Sequence, residues 1–120
     1  MENTNAVSIL LIDVLSELLE KRIVMSGDDY IFFENLEKVS QNRINEAIIL
    51  KNQKEDKIRI QSIKQKANEI IKSKYSIEWQ LNHPRLDETY VNEYAWIDNI
   101  RRISNEAESN GTKLEEIIWQ

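Results

Sequence analysis

The stretch KNQKEDK, residues 51–57, contains no apolar side chain, yet it lies inside a span from Glu34 to Lys74 that has neither glycine nor proline. On its N-terminal side Leu36, Val39, Ile44, Ala47 and Ile48 recur at helical spacing; on its C-terminal side Ile63, Ala67, Ile70 and Ile71 do the same. One continuous helix would have to carry 51–57 through solvent, whereas two helices would meet there at a polar turn. Because the apolar spacing breaks, the sequence predicts two helices joined near 51–56, folded back so that both faces share a core.

Upstream, Val7, Leu10, Leu11, Val14, Leu15 and Leu18 mark a helix over 5–22, with Thr4 or Asn5 as N-cap. Ile9, Ile12 and Leu19 widen its apolar arc, which fits a central core helix and leaves a homodimer contact open. Two β-prone runs follow, Ile23-Val24-Met25 and Tyr30-Ile31-Phe32-Phe33, separated by Ser26-Gly27-Asp28-Asp29. Gly27 can adopt positive φ, so a small hairpin is expected; the competing expectation is that 29–33 opens the next helix. Asp28-Asp29 has the look of a metal or acid–base pair, but no third ligand has a recognisable spacing, and a solvated turn is preferred.

Downstream, Tyr90, Tyr94, Ile97, Ile100, Ile103 and Ala107 form the clearest amphipathic stripe, over 88–109. Asp87 is placed to cap it and Asn110-Gly111 to stop it. TKLE, residues 112–115, reads as a capping box opening a short last helix that carries Leu114, Ile117, Ile118 and Trp119. The expected fold is therefore mainly α: a single helical domain over 1–120, four or five helices packed as a small bundle, with a short β-hairpin near 23–33. Its core should include Leu11, Leu15, Leu18, Ile44, Ile70, Ile97 and Ile100, with Trp96 at least partly buried.

Composition narrows the function. Apolar residues make up 41% of the 120 residues and charged residues 31%, the balance of a folded chain. There is no cysteine, hence no disulfide framework, thiolate metal site or cysteine nucleophile. The run Ile9-Leu10-Leu11-Ile12 is too short for a membrane span, and no basic region precedes it. A cytoplasmic location in a bacterial host, or association with a virion, is expected. The net charge of −5 is segmented: 1–50 and 87–120 are acidic, and 51–86 is basic. An acidic whole with a basic middle does not resemble a dedicated DNA-binding domain.

The only histidine and the only proline fall together in WQLNHPRLDETY, residues 79–90. A catalytic triad needs an imidazole bonded to a nucleophile and an acid. His83 precedes Pro84, which drives it out of helical geometry, and it is expected to be a bystander where one helix ends and the next begins. Metal sites on histidine or cysteine fail by count, and Gly27 and Gly111 standing alone cannot build a phosphate loop. No enzyme activity, cofactor or metal is expected. Two charged faces remain. Lys57, Arg59, Lys64, Lys66 and Lys74 could hold phosphates beside Tyr75 and Trp79, although a solvated helix face explains them more simply. The acids Glu106, Glu108, Glu115 and Glu116, or Asp87, Glu88 and Glu93, could enter a basic groove on a partner.

KANEIIKSKYSIEWQLNHPR, together with YAWIDNIRRISNEAESNGTKLEEI, gives an order of Lys-Tyr, Gln-x-Asn, Trp-Ile-Asp-x-Ile-Arg and Ser-Asn. This resembles the C-terminal region of phage and prophage tail-module proteins, including small proteins encoded beside tail fibres. IVMSGDDYIFFENLEKVSQNRINEAII is similar to a hairpin and helix that often precede it there. The resemblance spans roughly 20–118, with matching positions at Tyr75, Gln80, Asn82, Trp96, Ile97, Asp98, Ile100, Arg101, Ser104 and Asn105. The chain departs from the pattern at KNQKEDK, where longer members carry more residues. The resemblance implies a non-catalytic viral protein whose partner is another protein, a phage tail subunit. The alternative, on size and charge only, is an anti-CRISPR-like inhibitor that blocks the nucleic-acid channel of a host defence nuclease. RNA is a less favoured partner, and no membrane is expected.

Overall fold

The structure, a computed structural model, describes residues 9–120. The chain is mainly helical, with four α-helices and a two-stranded antiparallel hairpin among the described residues. It packs as two compact units, one ending at Lys57 and the other running from Ile58 to Gln120.

In the first unit α1 spans Leu11–Leu19 and buries Val14 and Leu15. It stops short of the expected residue 22 because Glu20 turns left-handed, at φ 52°, and the Arg22 carbonyl is taken by the Phe33 amide at 3.0 Å. The expected caps Thr4 and Asn5 lie outside the described residues. Strands β1 (Ile23–Ser26) and β2 (Asp29–Phe32) pair with Ser26 opposite Asp29. Gly27 alone of the two turn residues has positive φ, the signature of a type II′ hairpin. Asp29 is exposed and pairs with Lys38 at 3.3 Å.

The helical face expected from Leu36 onward starts later: Ile44, Ala47 and Ile48 are helical, whereas Leu36 and Val39 are not. The chain reverses after Phe33, with Leu36 exposed at φ 59°. Glu37 and Val39 then pair with the free edge of β2, through Phe32 N–Glu37 O and Val39 N–Tyr30 O bonds of 2.8 Å. Two main-chain hydrogen bonds to a strand already in place outcompete the start of a helix.

Helix α2 spans Gln41–Lys74 without interruption, so the expected break near 51–56 is wrong. The polar stretch is built of residues that tolerate a helix well. Lys51 bonds Glu55 one turn on, at 3.1 Å, and Glu55 also accepts from the Ile9 amide at 3.2 Å. Lys54 reaches Glu17 on α1 at 3.4 Å. KNQKEDK lies between Leu50, which packs on the first core cluster, and Ile63, which belongs to another. The apolar pattern lapses there because there is no core to face. The first cluster comprises Val14, Leu15, Ile23, Val39 and Ala47, with the expected core residues Leu11, Leu18 and Ile44 half-buried at its margin.

In the second unit α3 spans Ile77–Asn82 and α4 spans Val91–Asn110, preceded by a 3₁₀ turn over Glu88–Tyr90. Tyr94, Ile97, Ile100 and Ala107 are buried against Ala67 and Ile71 or against Ile63 and Leu114. Ile97 and Ile100 behave as the stripe predicts; Ile70 and Trp96 are half-buried. Gly111 ends α4 at φ 70°, a conformation a side chain resists.

The short last helix is not formed. Only one 3₁₀ turn, Leu114–Glu116, follows Gly111, and its N-cap is Lys113 with no side-chain cap, so TKLE is not a capping box. Beyond it the chain is extended. Ile117 and Trp119 pack inward while Ile118 is 79% exposed, the two-residue alternation of a strand and not the stripe of a helix. No helix among the described residues is long and apolar enough to cross a membrane.

Candidate functional site

The second unit contains a corner, residues 75–98, whose geometry is fixed by directional bonds. The Ser76 hydroxyl accepts from the Trp79 amide at 3.0 Å and caps α3. Pro84 ends that helix, as the sequence requires. Tyr94, on α4, donates its one hydroxyl proton to the His83 carbonyl and shares it with that of Gln80, 3.2 Å away, so the C-terminal end of α3 is held against α4. Gln80 in turn donates its amide to the Tyr75 carbonyl at 3.0 Å.

Aromatic rings fill the space beneath. Trp79 lies 4.6 Å from Tyr75 and 5.8 Å from Tyr90, and His83 stacks on it at 4.5 Å. His83 is more than the expected bystander. Its Nδ1 lies 2.6 Å from the Trp79 carbonyl, and because a carbonyl oxygen only accepts, the neutral ring must carry its proton there. That bond and the stack orient the imidazole as a packing element.

Arg85 closes the corner. It grips Asp98 with two hydrogen bonds, of 2.8 and 2.9 Å, and its guanidinium sits 4.6 Å over the Tyr94 ring. The forked bond from Arg85 holds the Asp98 carboxyl below its ordinary pKa and raises the guanidinium's. Asp87 caps the 3₁₀ turn by accepting from the Thr89 amide at 2.9 Å, and that bond lowers its pKa.

This locked frame turns large apolar side chains outward. Ile77 is 54% exposed, Leu81 78%, Leu86 95% and Val91 61%. Ile77 and Leu81 share one face of α3, four residues apart. Val91 opens α4, three residues before Tyr94. Exposed apolar residues scattered singly need no explanation, but a group on a rigid corner does. This surface was not expected from the sequence, although signals existed: Val91 falls off the Tyr90–Tyr94–Ile97 stripe, and Leu86 sits in the proline-opened connection.

The two charged faces inferred from the sequence touch at the end of α4, where Arg59 and Lys64 reach Glu108. Arg59 donates to the carbonyls of Ala107, Glu108 and Thr112 at 2.8–3.1 Å, gathering the chain where α4 ends; the Ala107 carbonyl also accepts from the Gly111 and Thr112 amides. Lys64 pairs with Glu108 at 3.0 Å, and Glu108 also accepts from Ser104. Glu106 pairs with Arg102 at 2.8 Å, and Lys74 lies 4.5 Å over the Trp96 ring. Lys57, Lys66, Glu115 and Glu116 are exposed. Beside the Lys64–Glu108 pair, a shallow groove of about 270 Å³ is lined by Asn68, Arg101, Ser104 and Asn105 among others.

Of the positions that carry the phage resemblance, Ile97, Ile100 and Ser104 are buried, and Tyr75, Gln80 and Trp96 are half-buried. Asp98 holds Arg85, while Asn82, Arg101 and Asn105 face solvent. Most of the pattern thus builds the corner and its supporting helix. No three His, Asp or Glu side chains among the described residues are grouped to hold a metal ion. No protein-family model, curated protein or solved structure matches the chain.

Proposed function

We propose that this protein works by binding another protein, as a non-catalytic phage- or prophage-derived component resembling those of the tail module. The observation that carries this reading is the corner just described, where Ile77, Leu81, Leu86 and Val91 stand in solvent on a frame locked by Tyr94, Arg85 and the Trp79–His83 stack. A preformed apolar surface loses little conformational entropy on docking, which favours contact between proteins. The tail assignment itself rests on the sequence resemblance, several of whose positions build that corner.

The alternative, an inhibitor of an RNA-guided nuclease acting through acidic residues, has less support. Of the four glutamates expected to form its face, Glu106 and Glu108 are engaged by Arg102 and Lys64. Deleting the gene from the phage or prophage that carries it tests the tail reading. Particles with defective tails are expected; normal particle assembly would overturn it.

A further inference from the structure

The apolar corner is not surrounded by neutral residues. Between Ile77 and Glu93 the acids are Glu78, Asp87, Glu88 and Glu93, against Arg85 as the lone Lys or Arg. Arg85 is committed to Asp98 through both arms of its guanidinium, so it brings no uncompensated positive charge to the surface. Glu78, Asp87 and Glu88 are all exposed. The Asp87 carboxylate is oriented by the hydrogen bond it accepts from the Thr89 amide.

We infer that this corner docks a basic amphipathic helix of a partner protein. The partner's apolar stripe would cover Ile77, Leu81, Leu86 and Val91, and its flanking Lys or Arg side chains would meet Glu78, Asp87 and Glu88. The inference rests on the protein-contact reading above and specifies the partner's chemistry. Charge complementarity selects the occupant. Nucleic acid and anionic lipid carry phosphates that these carboxylates repel. A second copy would bring the same acids against its own, since a two-fold contact places like surfaces together. A helix with apolar residues at three- and four-residue steps matches the spacing of Ile77 and Leu81 on α3.

Three synthetic helical peptides of about 18 residues, long enough for about five turns, provide the probe: a Leu/Lys amphipath, a Leu/Glu amphipath of identical pattern, and a Leu/Lys scramble lacking helical periodicity. Binding to the full chain is read by fluorescence anisotropy of labelled peptide at low and at physiological salt. The Leu/Lys amphipath should bind at least about tenfold more tightly than either control, a difference of about 1.4 kcal/mol. Leu86→Asp should abolish that binding; at 95% exposure the side chain supports no fold, and circular dichroism verifies that the helices persist. The double variant Asp87→Asn/Glu88→Gln, which keeps a capping side chain, should weaken binding about three- to tenfold and flatten its salt dependence.

Absence of Leu/Lys binding, equal binding of the scramble, or indifference to Leu86→Asp would overturn the inference. Binding of anionic vesicles through Leu86 would overturn it too. If the Leu/Glu peptide binds in its place, or if the chain self-associates through Leu86, the basic partner is wrong but the protein-contact reading survives. Failure of the tail reading is seen separately, in particle assembly.

Discussion

The two units stand on different chemistry. The first, ending at Lys57, is held by an aliphatic cluster around Leu15 and Ile23, by a hairpin, and by surface ion pairs such as Lys54–Glu17. The second combines an aliphatic cluster around Ile97 with bonds whose direction matters: Arg59 on the end of α4, Tyr94 on two carbonyls, Arg85 on Asp98. Burial of apolar surface stabilises without dictating angles, whereas forked and stacked contacts fix a geometry. In the second unit these directional contacts frame the outward apolar corner, which fits a surface that must hold its shape before a partner arrives.

The comparison can be broken most forcefully at the cores. Leu15→Ala and Ile97→Ala each remove a fully buried side chain and should cost about 2–5 kcal/mol. Amide hydrogen exchange, resolved by residue, checks both, with protection falling first in the unit that carries the substitution. Equal loss of protection everywhere, from either variant, would show that the two units open as one.

Next in size is Arg59→Met, which keeps a long apolar stem but takes the donor away from the carbonyls of Glu108 and Thr112, while that of Ala107 keeps the Gly111 and Thr112 amides. A loss of about 1.5–3 kcal/mol in urea unfolding is expected, the range for hydrogen bonds to charged groups. A change within error would mean that water satisfies those carbonyls equally well.

The smallest effect is electrostatic. With the Arg85 hydrogen bonds lowering the Asp98 pKa, the folded state binds that proton less readily than the unfolded state. The pair's contribution is therefore complete above the ordinary carboxylate range and disappears as pH falls through the lowered value. Both partners are about half exposed, so the stake is under about 1 kcal/mol. Asp98→Asn should lower the urea midpoint at neutral pH and lose less of it than the parent on acidification. A parallel decline of the two proteins would assign the acid sensitivity elsewhere.

How far the sequence reveals this architecture depends on whether the determining forces are local. The hairpin was legible because Gly27 between two β-prone runs is a short-range signal, and α4 because Gly111 and an unbroken stripe agree; Asp87, expected to cap α4, caps the 3₁₀ turn before it. The missed features depend on distant partners. KNQKEDK suggested a turn because apolar spacing reports a core, not a helix, and α2 passes it without one. Residues 112–119 suggested a helix because Thr112 and Glu115 have capping spacing, yet Arg59, far away in sequence, takes the Thr112 carbonyl and Trp119 packs inward from an extended chain. The charged residues show the same dependence on distance: composition counts Lys64 and Glu108 separately, while folding joins them.

The aromatic packing has an optical consequence. Trp79, Trp96 and Trp119 all belong to the second unit, and in the first the sole tyrosine is Tyr30. Indole emission, the usual light by which unfolding is watched, therefore illuminates one unit and leaves the other dark. A melting curve taken by fluorimetry would describe the surroundings of the docking corner, and the hairpin could come apart without dimming the signal. Heat uptake, which weights every buried side chain, would register both.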